Sequence, residues 1–286
     1  MPGIDRPDFK DRRDFIKSAG LAATGFAALP LLGCGTQSRM SLDQGGESNP
    51  LAIPRLQAGT IERGERVFRL SLTPGEKEFV PGTASPTIGI DASYLGPTLE
   101  MRRGEQVRFQ IDNKLAEDAT VHWHGFELPA TADGGPHQLV RPGERWSPSF
   151  EIRQRASLYW YHSHLHRRAG PQVYAGLAAP IYVRDEEEDR LDLPSRYGVD
   201  DIPLVVQDRV IDGAGRLVYP LDMHSRMMGV MGERIYVNGT ANAVFEAAAG
   251  PLRLRLLNGS NARFYTFSLE GDRPMQLIAS DGGLLA

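Results

Sequence analysis

The sequence predicts an all-β protein with two successive domains, each a β-sandwich or barrel with Greek-key connections. Two observations support this class. The 286 residues include 31 glycines and 20 prolines, which predicts frequent turns. Short segments of alternating polarity recur between these turns, and no long amphipathic helix is indicated beyond residue 50. The net charge of −4 argues against a nucleic acid partner.

The N-terminus has the features of an export signal. Arg12–Arg13 precede an uncharged stretch, residues 18–32, that is too short to span a bilayer stably. Cys34, the only cysteine, follows in a segment that resembles a bacterial lipobox. We expect a twin-arginine, lipoprotein-type signal over residues 1–34, lipidation of Cys34 and a flexible tether over residues 35–50. The protein would then lie in the periplasm or cell envelope, contacting the membrane only through a lipid anchor. The alternative is a buried helix with an incidental thiol.

The first domain is predicted over residues 51–184. Its first clear strand covers residues 67–72 and ends at a turn, residues 73–75. Residues 107–111 alternate in polarity in the same way, and residues 178–183 form an apolar strand. An acidic run opens the following segment, residues 185–200, which is predicted to be a solvated linker.

A second domain is predicted over residues 201–286. Its strands are expected at residues 203–207, 252–256 and 264–267, where apolar and polar residues alternate or apolar residues cluster. This domain is short for a complete sandwich, so we expect it to be incomplete.

Paired histidines are the strongest functional signal. His122 and His124 flank Trp123, and the second pair, His162 and His164, is spaced in the same way. In an extended strand, side chains alternate faces, so both members of a pair point to the same side. Two such strands side by side would bring four imidazoles together. His166 would share their face if its strand continued, whereas His137 and His224 stand alone and are interpreted as surface or loop residues.

Four converging imidazoles indicate a metal site. Neutral imidazole suits copper, zinc, iron or nickel, and the lack of a nearby thiolate disfavours structural zinc. The alternative is a pair of ordinary strands packed by Trp123, Trp160 and Tyr161. That alternative leaves four buried imidazoles without evident partners, which buried polar groups need.

Several motifs together resemble the multicopper oxidase family, most closely its bacterial periplasmic copper-tolerance branch, which contains cuprous oxidases and laccase-like enzymes. The resemblance covers nearly all of residues 50–286. The matching segments are residues 96–113, 120–125, 133–136, 159–164, 176–183, 206–208, 237–239 and 255–260. The paired histidines with their flanking aromatic residues are the most specific of these.

The resemblance implies tandem cupredoxin-like domains and copper as the cofactor. Such enzymes oxidise a substrate, cuprous ion or a phenol, at a type-1 copper and reduce O2 to water at a trinuclear cluster. By this resemblance His122 would ligate the type-2 copper, and His124, His162 and His164 would ligate the type-3 pair. Asp133 would be a catalytic carboxylate that relays protons, although a simple Asp-Gly turn is an equal alternative. His166 matches a histidine common in the branch and is not counted as a ligand.

The family's remaining copper ligands do not occur in this sequence. The type-1 site requires a cysteine thiolate, yet Cys34 lies in the predicted signal, and no histidine follows His224. The chain therefore resembles the N-terminal portion of the family, with half of the trinuclear site and no type-1 site. We expect it to be inactive by itself, as the result of truncation, an early stop or a split gene. In the last case a separate C-terminal half would be its partner, and the complete enzyme would also need O2 and a reducing substrate.

Two other functions remain open. One is a non-enzymatic lipoprotein that binds or sequesters copper in the periplasm, and the other is a cupredoxin-fold relative of the cell-division type that has lost its coppers. Retention of all four expected ligands argues against the latter. A methionine cluster, Met223, Met227, Met228 and Met231, could bind copper(I), although a surface or core-filling role is favoured.

Overall fold

In the computed structural model, residues 46–285 are described, and they are built mainly of strands. The strands of the first half are β1 (Asn49–Pro50), β2 (Leu56–Gln57), β3 (Thr60–Glu62), β4 (Glu65–Val80), β5 (Thr83–Ile90), β6 (Thr98–Arg102), β7 (Gln106–Asn113), β8 (His122–His124), β9 (Arg145–Trp146), β10 (Ser149–Glu151), β11 (Ser157–His162) and β12 (Ala178–Arg184). Those of the second half are β13 (Asp201–Ile211), β14 (Leu217–Val218), β15 (Arg234–Val237), β16 (Ala243–Val244), β17 (Arg253–Asn258), β18 (Ala279–Ser280) and β19 (Gly283–Leu284). The helices within these residues are α1 (Ala169–Ala175), α2 (Glu186–Asp189) and α3 (Met223–Met228), with 3-10 turns at Ala130–Ala132 and Glu270–Asp272.

Two sheets share the main hydrophobic core of the first half. One has the order β2-β6-β12-β11-β8, and the other has the order β10-β7-β4-β3, with β5 paired to β4 and β9 to β7. Phe68 and Phe109 of the second sheet stack with ring centroids 5.1 Å apart. The ring centroid of Phe109 also lies 4.0 Å from that of Trp123 in the first sheet. Aromatic contacts therefore join the two sheets, and the predicted all-β class is confirmed.

Two local predictions in this half have different outcomes. Val107, Phe109 and Ile111 are all fully buried along β7, as their alternation predicts. The expected strand end at residues 73–75 is wrong, because β4 continues to Val80. Pairing of β4 with β7 ends at Leu72, and only β5 accompanies β4 beyond that point. Pro74 is tolerated within β4 because proline has no backbone N–H to donate, and the side of the strand where that N–H would point has no partner strand beyond Leu72.

The second half is organised around the long strand β13. It pairs antiparallel with β14 and β15 and parallel with β17, which confirms the strand predicted at residues 203–207. Tyr94 of the first half and Tyr236 of the second half both pack against Phe79 in one buried cluster. The strand predicted at residues 264–267 is not formed, since this segment has no ladder partner and Phe264 is 96% exposed.

The acidic run after β12 is not simply solvated, which corrects that prediction. Asp185 caps α2 by accepting a hydrogen bond from the backbone N–H of Glu188 at 2.8 Å. Glu188 is buried because two arginines of β17 approach it: its Oε1 lies 2.6 Å from Nη1 of Arg253 and 3.1 Å from Nη2 of Arg255. The run therefore joins the two halves through buried charges.

The predicted export signal, Cys34 and the tether up to residue 45 lie outside the described residues. Among residues 46–285, no helix is both long enough and apolar enough to cross a bilayer. The predicted domain boundaries stay predictions.

Candidate metal centre

Two neighbouring strands of the five-stranded sheet carry the paired histidines. Strands β8 and β11 run antiparallel, with His122 opposite His162 and His124 opposite Trp160. Directly opposed residues share a face of the sheet, so these four side chains lie on one side. Trp123, between the histidines of β8, points the other way into the core and is fully buried. The period-2 pattern thus places Trp123 in the hydrophobic core and His122, His124 and His162 on the opposite side of the sheet, which we call the histidine face.

The four predicted ligands lie close together. The ring centroid of His122 is 5.8 Å from that of His124, 5.4 Å from that of His162 and 5.1 Å from that of His164. One ligand nitrogen from each of His122, His124 and His162 can be chosen so that all three lie within 4.8 Å of one another. His164 is adjacent but outside this set, since it follows the end of β11 and its side chain is exposed.

Backbone carbonyls orient two of the rings. Nδ1 of His122 lies 2.9 Å from the carbonyl oxygen of Asp133, and Nδ1 of His162 lies 2.8 Å from that of Ser163. A carbonyl can only accept, so each Nδ1 carries a hydrogen, and in the neutral form of the ring Nε2 is then the nitrogen with the lone pair. Nδ1 of His124 faces Nε2 of His162 at 3.2 Å. Such second partners commonly fix metal-binding histidines.

Asp133 is next to this group. Its Oδ1 lies 3.4 Å from Nδ1 of His122, and its side chain is 37% exposed. The carboxylate therefore reaches both the histidine group and solvent, as a proton relay would require. Its catalytic role stays a prediction.

Burial keeps the central imidazoles neutral. The pKa of His162 is lowered to about 3, chiefly by desolvation and in smaller part by the neighbouring His122, His124 and His164. Desolvation, followed by the charge of His122, also lowers the pKa of His124. Trp160 covers the ring of His162 with a centroid distance of 3.9 Å and an interplanar angle of 24°. Neutral imidazole is the form that binds metals.

Metal-free protein is expected to lose stability as the pH falls below about 6.5. Between pH 6.5 and the folded-state pKa of about 3, His162 binds a proton in the unfolded state but not in the native state. The free energy of unfolding should therefore decrease by up to about 1.4 kcal/mol per pH unit from this residue. Urea unfolding at pH 7.5 and 5.5 measures the decrease. His162→Gln should reduce the difference in unfolding free energy between the two pH values, whereas His224→Gln, at an exposed histidine, should leave it unchanged. The same difference in both variants would contradict this account.

The other histidines and the four clustered methionines are exposed. His137, His166 and His224 are exposed, as expected for the first and last of these. The methionine cluster is a surface feature rather than core filler, with exposed fractions from 43% at Met231 to 77% at Met223.

Sequence reasoning did not place Asp281 at this site. Its charge raises the pKa of His124, because the β18–β19 hairpin brings it near. The hydroxyl of Ser157 donates to the carbonyl of Ser280 at 3.2 Å, which holds the hairpin on β11. The Asp281-Gly282 dipeptide signals a tight turn, but no local pattern indicates where that turn docks.

Comparison with known proteins agrees with the geometry. The sequence model of a family described as multicopper oxidase matches residues 72–188. Cell division protein FtsP of Xenorhabdus nematophila is 38% identical over 96% of this chain and 55% of its own length. Multicopper oxidase mco of Staphylococcus aureus is 35% identical over 86% of this chain and 54% of its own length. The chain thus spans about half the length of the curated relatives it matches.

A solved structure gives the same result. The laccase-like multicopper oxidase CueO from Ochrobactrum sp. superposes with a TM-score of 0.77 at 38% identity, over 82% of this chain and 52% of that one. The sheets described above are therefore cupredoxin-like, as the resemblance implied. Together these matches show that the chain belongs to the multicopper oxidase family.

Proposed function

We propose that this chain supplies half of a trinuclear copper site to a multicopper oxidase, which couples oxidation of cuprous ion or a phenol to reduction of O2 to water. The observation that carries the proposal is the convergence of His122, His124, His162 and His164, with His122 and His162 oriented by carbonyls. Neutral imidazoles without a thiolate among the described residues fit copper.

Each residue has a definite task in this proposal. His122 would hold the type-2 copper, and His124, His162 and His164 would hold the type-3 pair. Copper, when bound, supplies the one-electron redox chemistry. The Trp160 ring and the buried position of His162 exclude water from one side of the site. Asp133 would hold a proton beside His122 and exchange it with solvent.

Turnover needs more ligands than this sequence contains. The family resemblance requires a type-1 thiolate and four further imidazoles, whereas the only thiol here is Cys34. We therefore propose that the residues of this chain bind copper but do not catalyse oxidation without those further ligands. The cell envelope, reached by the twin-arginine route, would be its location.

Copper binding by the full chain tests the proposal. Titration with Cu(II) should show binding with nitrogen hyperfine coupling in the electron paramagnetic resonance spectrum. His162→Ala should weaken binding about tenfold to a hundredfold, because it removes a ligand oriented by the Ser163 carbonyl. His224→Ala is the matched control and should retain the parent's affinity, since His224 is exposed on α3.

Other outcomes would contradict the proposal. Equal affinity in the two variants would place copper elsewhere. Oxygen consumption with a phenol or with cuprous ion, or strong blue absorbance from a copper–thiolate bond, would show that the isolated chain is a complete oxidase.

A role in cell division is the second candidate function. It is favoured by the match to FtsP, which covers 96% of this chain. A third candidate function, based on the same histidine ligands, is that of a lipoprotein that sequesters copper. Absence of copper binding in the parent chain would favour the cell-division role over both copper functions.

A further inference from the structure

The side chain of Gln172 lies between the two histidine-bearing segments. It belongs to α1 and is only 1% exposed. Its amide nitrogen donates to the carbonyl oxygen of Asp118 at 2.8 Å, in the segment that leads into β8. Its amide oxygen accepts a hydrogen bond from the hydroxyl of Ser163 at 2.5 Å. Ser163 separates His162 from His164, so one buried amide links both pairs of predicted ligands.

The partners determine which way the amide points. The Asp118 carbonyl can only accept, so it requires the NH2 group, and the oxygen is left for the Ser163 hydroxyl. That hydroxyl in turn accepts from the backbone N–H of Leu165 at 3.4 Å. The backbone N–H of His164 donates to the buried hydroxyl of Thr120 at 2.7 Å. Side-chain hydrogen bonds therefore hold the segment beyond β11, where strand pairing has ended.

We propose that Gln172 is a positioning residue for the copper ligands. It holds the Ser163–His164 turn against the segment before β8, so that His162 and His164 both face His122. This role rests on the proposed copper-binding function. Partners outside the ligand shell commonly change metal affinity tenfold to a hundredfold when they are removed. An apolar replacement at position 172 would also leave the Ser163 hydroxyl and the Asp118 carbonyl without their buried partner.

The test compares two buried glutamines in the full chain. Gln172→Met keeps the side-chain length and removes both hydrogen bonds. Gln207→Met is the matched control: Gln207 is fully buried, but its side chain bonds to Tyr94 and Gly259, away from the histidines. We expect Gln172→Met to weaken Cu(II) binding about tenfold to a hundredfold and to change the copper hyperfine pattern. Gln207→Met should keep the parent's affinity and spectrum, whatever its effect on unfolding.

A double-mutant cycle separates positioning from general stability. Ser163→Ala removes only the hydroxyl, and since Gln172 acts through it, the two substitutions together should cost less affinity than the sum of their separate effects. Should Gln172→Met fail to fold, the affinity and spectrum of Ser163→Ala decide. If the parent binds copper and both variants match it, the positioning role is wrong while the proposed function stands. If the parent binds no copper, the proposed function itself fails, and this role with it.

Discussion

Gly134→Ala is expected to lower the free energy of unfolding by about 3 to 5 kcal/mol. Gly134 has a φ of +74°, and a Cβ built there would lie 1.7 Å from the carbonyl oxygen of Val121. The obstructing atom belongs to the backbone of Val121, so no change of a side-chain rotamer can relieve the clash. Val121 precedes His122, and Asp133 accepts the hydrogen bond that orients the His122 ring. The same substitution should therefore weaken copper binding.

Gly143→Ala is the matched control for this effect. Gly143 has a similar φ of +79°, but nothing lies within 4 Å of the Cβ position. Its substitution should cost only the left-handed backbone strain, about 1 to 2 kcal/mol. Urea unfolding of the parent and both variants measures the difference. Equal losses would show that the segment at Gly134 yields without strain and that it does not constrain His122.

The histidine face could be predicted because its cause is local. A strand alternates its side chains whatever surrounds it, so His122 and His124 had to share a side. The core position of Trp123 follows from the same alternation. The placement of His164 could not be derived in this way. Strand β11 ends at His162, and the chain beyond it is held by Gln172 and Thr120.

Contacts between distant segments account for what the sequence did not reveal. The alternation at residues 252–256 was recognised, but the arginines occupy the inward face, with Arg253 and Arg255 buried and Leu254 38% exposed. An inward arginine is stable only if an acid meets it. Glu188 meets both arginines and lies 67 residues before Arg255 in the chain, and Arg255 also pairs with Asp201. Neither the acidic run nor the sequence of β17 indicates that the two segments meet, so the acidic run was predicted to be a solvated linker.

The histidine face also separates the candidate functions. Similarity alone leads to a cell division protein and to oxidases at nearly equal identity. Three imidazoles have closely spaced ligand nitrogens, and two of these rings are oriented by carbonyls, which is an arrangement that could hold a metal ion. We propose the copper function because it accounts for these side chains as well as for the fold, and copper binding by the parent chain tests it.

Glu188→Gln is expected to lower the free energy of unfolding by about 3 kcal/mol or more. Among residues 46–285, Glu188 is the only carboxylate that forms an ion pair with Arg253, at 2.6 Å from its buried Nη1, while the charge of Asp201 acts on this guanidinium from farther away. Desolvation lowers the pKa of this guanidinium, which shows how exclusion from water disfavours its charge. Removing one member of a buried pair leaves the other charge uncompensated, which typically costs about 3 to 5 kcal/mol.

Glu186→Gln provides the control within the same helix. The side chain of Glu186 is 81% exposed, and its Oε2 lies 3.4 Å from Nη2 of Arg190, which is 74% exposed. Exposed pairs of this kind contribute at most about 0.5 kcal/mol, and salt screens them. Urea unfolding in low salt and in 0.5 M salt should therefore show a large, salt-insensitive loss for Glu188→Gln and almost none for Glu186→Gln. A loss at position 188 as small as that at 186 would mean that water reaches Arg253 and that these charges do not fasten the second half of the chain to the first.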